Sequence, residues 1–303
     1  MKQLRKIERF CLISHIVSMV FGLLGLLIVL PHPDLILGLS TTGQVLFQWG
    51  MAGGGVVYIL FGTAAVAIYA YRTLGLWHWL TFMLPAVFLS LSSELLGTST
   101  GFPFGHYGYL SGLGYKIAGL VPFTIPLSWF YLGFVCYLIA RAGLQKVQTA
   151  WVRHLVAIAL GALLLTSWDF VLDPAMSQTA FPFWEWQQPG AFFGMPYQNF
   201  AGWMGTGAVF MSVAALLWQK APLRLERVEL GLPLAIYLSN FAFAAVMSIA
   251  AGIWIPIFLG LLLGVLPAIV LGWMAQPTAS MIETETPAIA EEISVAPVKV
   301  AVK

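Results

Sequence analysis

The chain predicts an all-α polytopic membrane protein with about eight transmembrane helices and both termini cytoplasmic. Three observations carry that fold class: the composition, the length of the apolar runs, and the placement of the basic residues. Of 303 residues, 60% are hydrophobic and 9% are charged, and the mean hydropathy is +0.88. Soluble domains average about 25% charged residues, and so few charges could not cover a water-facing surface. A cytosolic globular enzyme, a nucleic-acid binder and a disordered chain are excluded on that ground. The net charge of +2 is too small to recruit a polyanion.

A helix rises about 1.5 Å per residue, so about 20 apolar residues cross the hydrocarbon core. Eight stretches reach that length, near 10–30, 52–71, 78–97, 119–140, 152–172, 200–219, 230–250 and 254–274. The run 230–274 would make one helix of roughly 65 Å, about twice the core thickness, so Gly252 and Pro256 read as the turn between two spans. Cytoplasmic loops should be rich in Lys and Arg. Placing the amino terminus, with Lys2, Arg5, Lys6 and Arg9, in the cytoplasm puts thirteen basic residues on that side and Lys116 alone on the other. No cleavable signal peptide is expected, because no small-residue cleavage site follows the first span. Cys11 and Cys136 lie in apolar runs and read as small buried hydrophobes. Residues 1–275 are thus expected to form an integral membrane helical domain, and 276–303, without helical period, a disordered cytoplasmic tail.

The two long loops, 97–118 and 173–199, are rich in Gly, Pro and aromatics and face the non-cytoplasmic side. Loops so poor in charge are expected to fold back over the bundle and cap a cavity. Apart from Asp34 in the first loop, four acids share that side: Glu94, Asp169, Asp173 and Glu185. An ionisable group at membrane depth costs a few kcal/mol and marks a functional site by default. Asp169 and Asp173 are spaced i, i+4 and share a helix face. Two carboxyls that close hold a proton between them, giving a neutral acid able to donate it. Bland readings stand beside this one. Asp173 could cap a helix that Pro174 ends, and Glu94 could hydrogen-bond a neighbouring helix. Asp169, deeper and flanked by Trp168 and Phe170, is the hardest to explain structurally.

His32 lies in the first loop, and only His106 among the histidines falls in the long loops beside the acids. No HxxxH, HxxE or HExxH spacing occurs, so no metal site, and with it no desaturase or metal-dependent hydroxylase, is expected. Aromatics cluster with the acids, densely over 181–203. An interfacial belt explains some of them. The rest suit a long apolar substrate, or a carbocation facing the rings.

The run Glu94-x-x-Gly97-x-x-Thr100-Gly101-x-Pro103-Phe104-Gly105-x-Tyr107-x-Tyr109 resembles the signature of the membrane-bound carotenoid 1,2-hydratase family, the γ-carotene 1'-hydroxylase and bisanhydrobacterioruberin hydratase type. Val121-Pro122, Asp173-Pro174, Phe183-Trp184-x-Trp186 and Gly194-x-Pro196-x-x-Asn199-x-x-Gly202-Trp203 extend the resemblance over about residues 80–270. It implies addition of water across the terminal C1'=C2' double bond of a carotene ψ-end, without oxygen, metal or redox cofactor. The partners it implies are a lycopene- or γ-carotene-like substrate, membrane lipid and other carotenoid-pathway enzymes such as a glycosyltransferase, in an inner (plasma) or thylakoid membrane.

That chemistry needs a neutral acid, an aromatic shell and a controlled water. Asp169 is the expected acid and Asp173 its partner, with Glu94 or Glu185 orienting the water and taking its proton. Trp168, His106, Tyr107, Trp129, Trp184, Trp186, Phe193, Asn199 and Trp203 are the expected substrate-binding residues. Two other classes stay open. Asp169-x-x-x-Asp173 could be one magnesium–diphosphate motif of a UbiA-like membrane prenyltransferase, although there is no second Asp cluster. Glu94 and Asp169 could instead be proton-relay acids of a transporter, although no inverted repeat is visible.

Overall fold

The computed structural model describes residues 1–179, 182–223 and 228–276. The expected tail lies, from residue 277 onward, outside the described residues. Helix α1 (Lys2–Leu24) continues through a π-helical segment, Gly25–Val29. A short α2 (Pro33–Leu37) leads to α3 (Thr41–Leu74), where the Ser40 hydroxyl caps the helix by accepting from the Gly43 amide at 3.2 Å. Then come α4 (Leu76–Thr100), α5 (Thr124–Gly143), α6 (Ala150–Ser177), α7 (Gln198–Trp218) and α8 (Gly231–Ala250). The last span joins α9 (Ile255–Gly260), a π-helical turn at Leu261–Val265, and α10 (Leu266–Met274). Eight helical stretches among the described residues are long and apolar enough to cross a membrane, the number expected.

Several boundaries depart from expectation, among them the starts of α1 at Lys2 and of α5 at Thr124, and two bear on the site. Helix α3 starts at Thr41, well before residue 52, because the uncharged segment behind the Ser40 cap continues the helix below the apolar run. Helix α6 does not stop at Pro174 but runs to Ser177. Proline removes one N–H and crowds the carbonyl four residues back, and so close to the helix end little remains to lose. The Ser177 hydroxyl donates to the Asp173 carbonyl at 2.9 Å and closes the last turn. Asp173 therefore sits inside a helix rather than capping one. The turn at Gly252, with φ +73°, does separate α8 from α9.

Helix α5 is the hub, packed by α3, α4, α6, α8 and α10. The most apolar window of its span is 89% buried, against 11% for the first span, which makes α1 a rim helix. Large apolar side chains such as Phe21, Phe88, Leu216 and Phe258 point outward, an arrangement that suits lipid and not water. At the basic end, Arg72 of α3 binds Glu8 of α1 through both carboxylate oxygens, at 2.8 and 3.1 Å.

At the other end the two long loops are joined. Strand β1 (Tyr107–Tyr109) pairs antiparallel with β4 (Trp184–Trp186), Tyr107 opposite Trp186 and Tyr109 opposite Trp184. A smaller ribbon joins β2 (Lys116–Ile117) to β3 (Val121–Pro122). Gly101, in the left-handed conformation at φ +82°, ends α4 and reverses the chain. Phe104 then seats against α7 at Gly202, where a Cβ would lie 2.4 Å from its ring.

Candidate active site

Four helices and the β1–β4 ribbon bring the acids to one place. Glu94 comes from the last turns of α4, Asp169 and Asp173 from successive turns of α6, and all three are buried. Helix α5 contributes Trp129 near its start; α7 contributes Asn199 and Trp203 near its own. Side chains alternate along a strand. Tyr107 and Tyr109 therefore share one face of β1, and Trp184 and Trp186 one face of β4, all four lining the cavity below.

Every oxygen of Glu94 has a donor. Oε2 accepts from the Tyr107 hydroxyl and from Tyr109 at 2.9 Å, and Oε1 accepts from Trp129 Nε1 at 2.8 Å. Burial, and the adjacent Glu94, push both phenols well above their ordinary pKa, so they remain O–H donors across the physiological range. Asn199 joins the two aspartates: its Nδ2 donates to Asp169 Oδ2 at 2.7 Å and to Asp173 Oδ2 at 3.1 Å. Trp184 Nε1 donates to Asp173 Oδ1. Of the six carboxyl oxygens, only Oδ1 of Asp169 has no hydrogen-bond donor among the described residues.

The space between these groups is a partly open cavity of about 70 Å³. Trp129 and Trp203 stack on each other in its wall, with ring centroids 4.0 Å apart and planes at 22°. Trp168 meets Trp203 edge-on at 5.8 Å, and Tyr107 lies 5.3 Å from Trp186. A second cavity of about 70 Å³ adjoins it and shares Tyr58, Leu113, Leu172 and Trp184 as walls. Its remaining lining is almost wholly apolar or glycine, from α1, α3, α6 and α8.

The cavity thus collects Glu94, Tyr107, Trp129, Trp168, Asp169, Asp173, Trp184, Trp186, Asn199 and Trp203. Three expected residues do not line it. Glu185 is exposed, because strand alternation turns it away from its two tryptophan neighbours. His106 is exposed and its ring lies against Gly101. Phe193 packs on Phe192 at 5.2 Å, and its carbonyl accepts from Gln178. Sequence reasoning left out Tyr109, Tyr58 and Ser128, which do line the cavity. The Tyr-Gly-Tyr spacing could have found Tyr109, since it puts both phenols on one strand face. Nothing in the sequence marks Tyr58 or Ser128. No group of three or more His, Cys, Asp or Glu among the described residues could hold a metal ion.

The family described as "Carotenoid biosynthesis protein" matches residues 54–267. Among curated proteins, the bisanhydrobacterioruberin hydratase of Haloarcula japonica is 32% identical over 176 residues. That alignment covers 58% of this chain and 58% of the relative. No solved structure matches.

Proposed function

Because the chain belongs to the carotenoid biosynthesis protein family, we propose that it is a carotenoid hydratase that adds water across the terminal C1'=C2' bond of a carotene ψ-end. Asp169 is the acid in this reading. One observation carries it: Oδ1 of Asp169 is the carboxyl oxygen left without a donor, on a buried side chain at the cavity wall. A proton there would point at substrate, not at protein.

Transfer of that proton to C2' leaves a tertiary cation at C1'. The faces of Trp129, Trp203 and Trp168 supply the electron density that such a cation seeks. Water attacks C1', and its surplus proton passes to Glu94, whose position is fixed by Tyr107, Tyr109 and Trp129. Return of the proton to Asp169 through solvent closes the cycle, so alkene and water give a tertiary alcohol with nothing oxidised. Asn199 and Asp173 hold Asp169 in register. The adjoining apolar cavity takes the polyene. The sequence relative, named as a hydratase, supports a hydro-lyase. A diphosphate site would need cations beside the aspartates, and the lining residues include no Lys or Arg.

Expression in cells that accumulate lycopene or γ-carotene tests the reading. The product should be one water heavier, should carry oxygen from labelled water, and should form without molecular oxygen. Label arriving from molecular oxygen would reject it.

A further inference from the structure

We propose a second site at the opposite end of the bundle, where Arg141 holds the phosphate of an anionic lipid headgroup. Arg141 lies in the last turn of α5 and is only 7% exposed. Its Nε and Nη1 are enclosed and meet no acceptor among the described residues. The Tyr137 hydroxyl, one turn earlier, and His154 Nδ1 are likewise enclosed and unpartnered. Arg153 and His154, in the first turn of α6, lie within electrostatic reach of Arg141. The described ion pairs, Arg5 with Glu229 and Arg72 with Glu8, lie elsewhere.

A guanidinium does not lose its proton in a protein, and an enclosed charge without a counter-charge is strongly unfavourable. The neighbourhood makes matters worse before a ligand arrives. The α6 amino terminus opens behind Thr149 with no side-chain cap, so its first N–H groups add positive potential on the turn that carries Arg153 and His154. One anion would serve the arginine, the phenol and the imidazole together. Phosphate fits, because the planar guanidinium binds it bidentately and a helix terminus supplies further donors.

The source of that phosphate is argued from depth. Trp151 and Leu155, on the same turns of α6, are 68% and 59% exposed. An outward indole at a span end sits at headgroup level, which places Arg141 beside lipid phosphates. Lys146 and Arg153 on the intervening connection and helix start add attraction to an anionic leaflet. This site is independent of the hydratase chemistry.

The full-length protein in phosphatidylcholine nanodiscs, with or without phosphatidylglycerol, decides the matter. Native mass spectrometry should find one phosphatidylglycerol retained by the wild type, and its thermal midpoint should rise with that lipid. Arg141→Gln should retain about tenfold less, the scale of one charge-assisted contact, and lose the rise. In phosphatidylcholine alone it should be no less stable than the wild type, since an unpaired charge has been removed. Arg5→Gln, on an exposed ion pair, should behave as wild type. Arg153→Gln, a gentler change, should weaken retention in the same direction and covers the case that Arg141→Gln fails to accumulate. Wild-type retention by both Arg141→Gln and Arg153→Gln overturns the proposal. So does inorganic phosphate reproducing the whole midpoint rise in phosphatidylcholine discs, which would make the ligand a soluble anion.

Discussion

The three acids are not equivalent, and their hydrogen bonds say how they should differ on substitution. In Asp169→Asn the amide oxygen can still accept from Asn199, while the –NH₂ takes the place of the unpartnered Oδ1. Shape and folding should survive, and the acid should not. Hydration should fall about 10²–10⁴-fold, the usual worth of a general acid, with protein levels near normal on a quantitative blot. Asp173→Asn should cost about tenfold, or about 1.4 kcal/mol, and shift the pH profile, because it alters the charge beside Asp169. Glu94→Gln turns an –NH₂ toward one of three donors, so it should lose stability as well as turnover. If Asp169→Asn keeps near-normal product and Glu94→Gln abolishes it, the proton comes from Glu94. The acids were legible in the sequence because carboxyls at membrane depth have few innocent explanations. Glu185 shows the limit of that logic: a short strand turns alternate residues away, and no strand of three residues announces itself among so many aromatics.

At the scale of elements, the spans were legible because hydrophobic length is a one-dimensional property. The β1–β4 ribbon was not. Its two strands have three residues each and lie far apart in the chain, so their pairing depends on loops meeting in space. Helix α6 misled for a related reason, since the cost of Pro174 depends on how much helix follows it. Helix α3 offers a test of the polyene path. Gly50 and Gly54 line the second cavity, and a Cβ added at either meets nothing within 4 Å. Gly54→Leu should fill that space without displacing protein, and removes a residue that weakens helices. It should therefore accumulate normally yet lower hydration of full-length carotene at least tenfold, about 1.4 kcal/mol. Unchanged turnover would place the polyene elsewhere.

For the whole molecule, we infer from the basic residues that both termini are cytoplasmic and that the acid cavity opens at the opposite face. Reporter fusions at Asp34, Gln188 and the carboxyl terminus should read outside, outside and inside; any reversal moves the cavity to the other leaflet. The ribbon that roofs the cavity also sets a schedule. A membrane chain is inserted as it is made, and synthesis runs at about 5–20 residues per second. Tyr107 leaves the ribosome long before its partner Trp186, so for roughly 4–16 s the first loop waits without its roof mate. Glu94 does not wait with it. Tyr107, Tyr109 and Trp129, its three donors, lie within 35 residues of it in the chain, so the first acid is settled locally while the second half of the protein is still unwritten. The Asp169–Asn199–Asp173 trio is complete only when α7 emerges. The order of translation thus builds the Glu94 side of the chamber first and the Asp169 side last, and the three acids are not all in place with their partners until six of the eight spans are made.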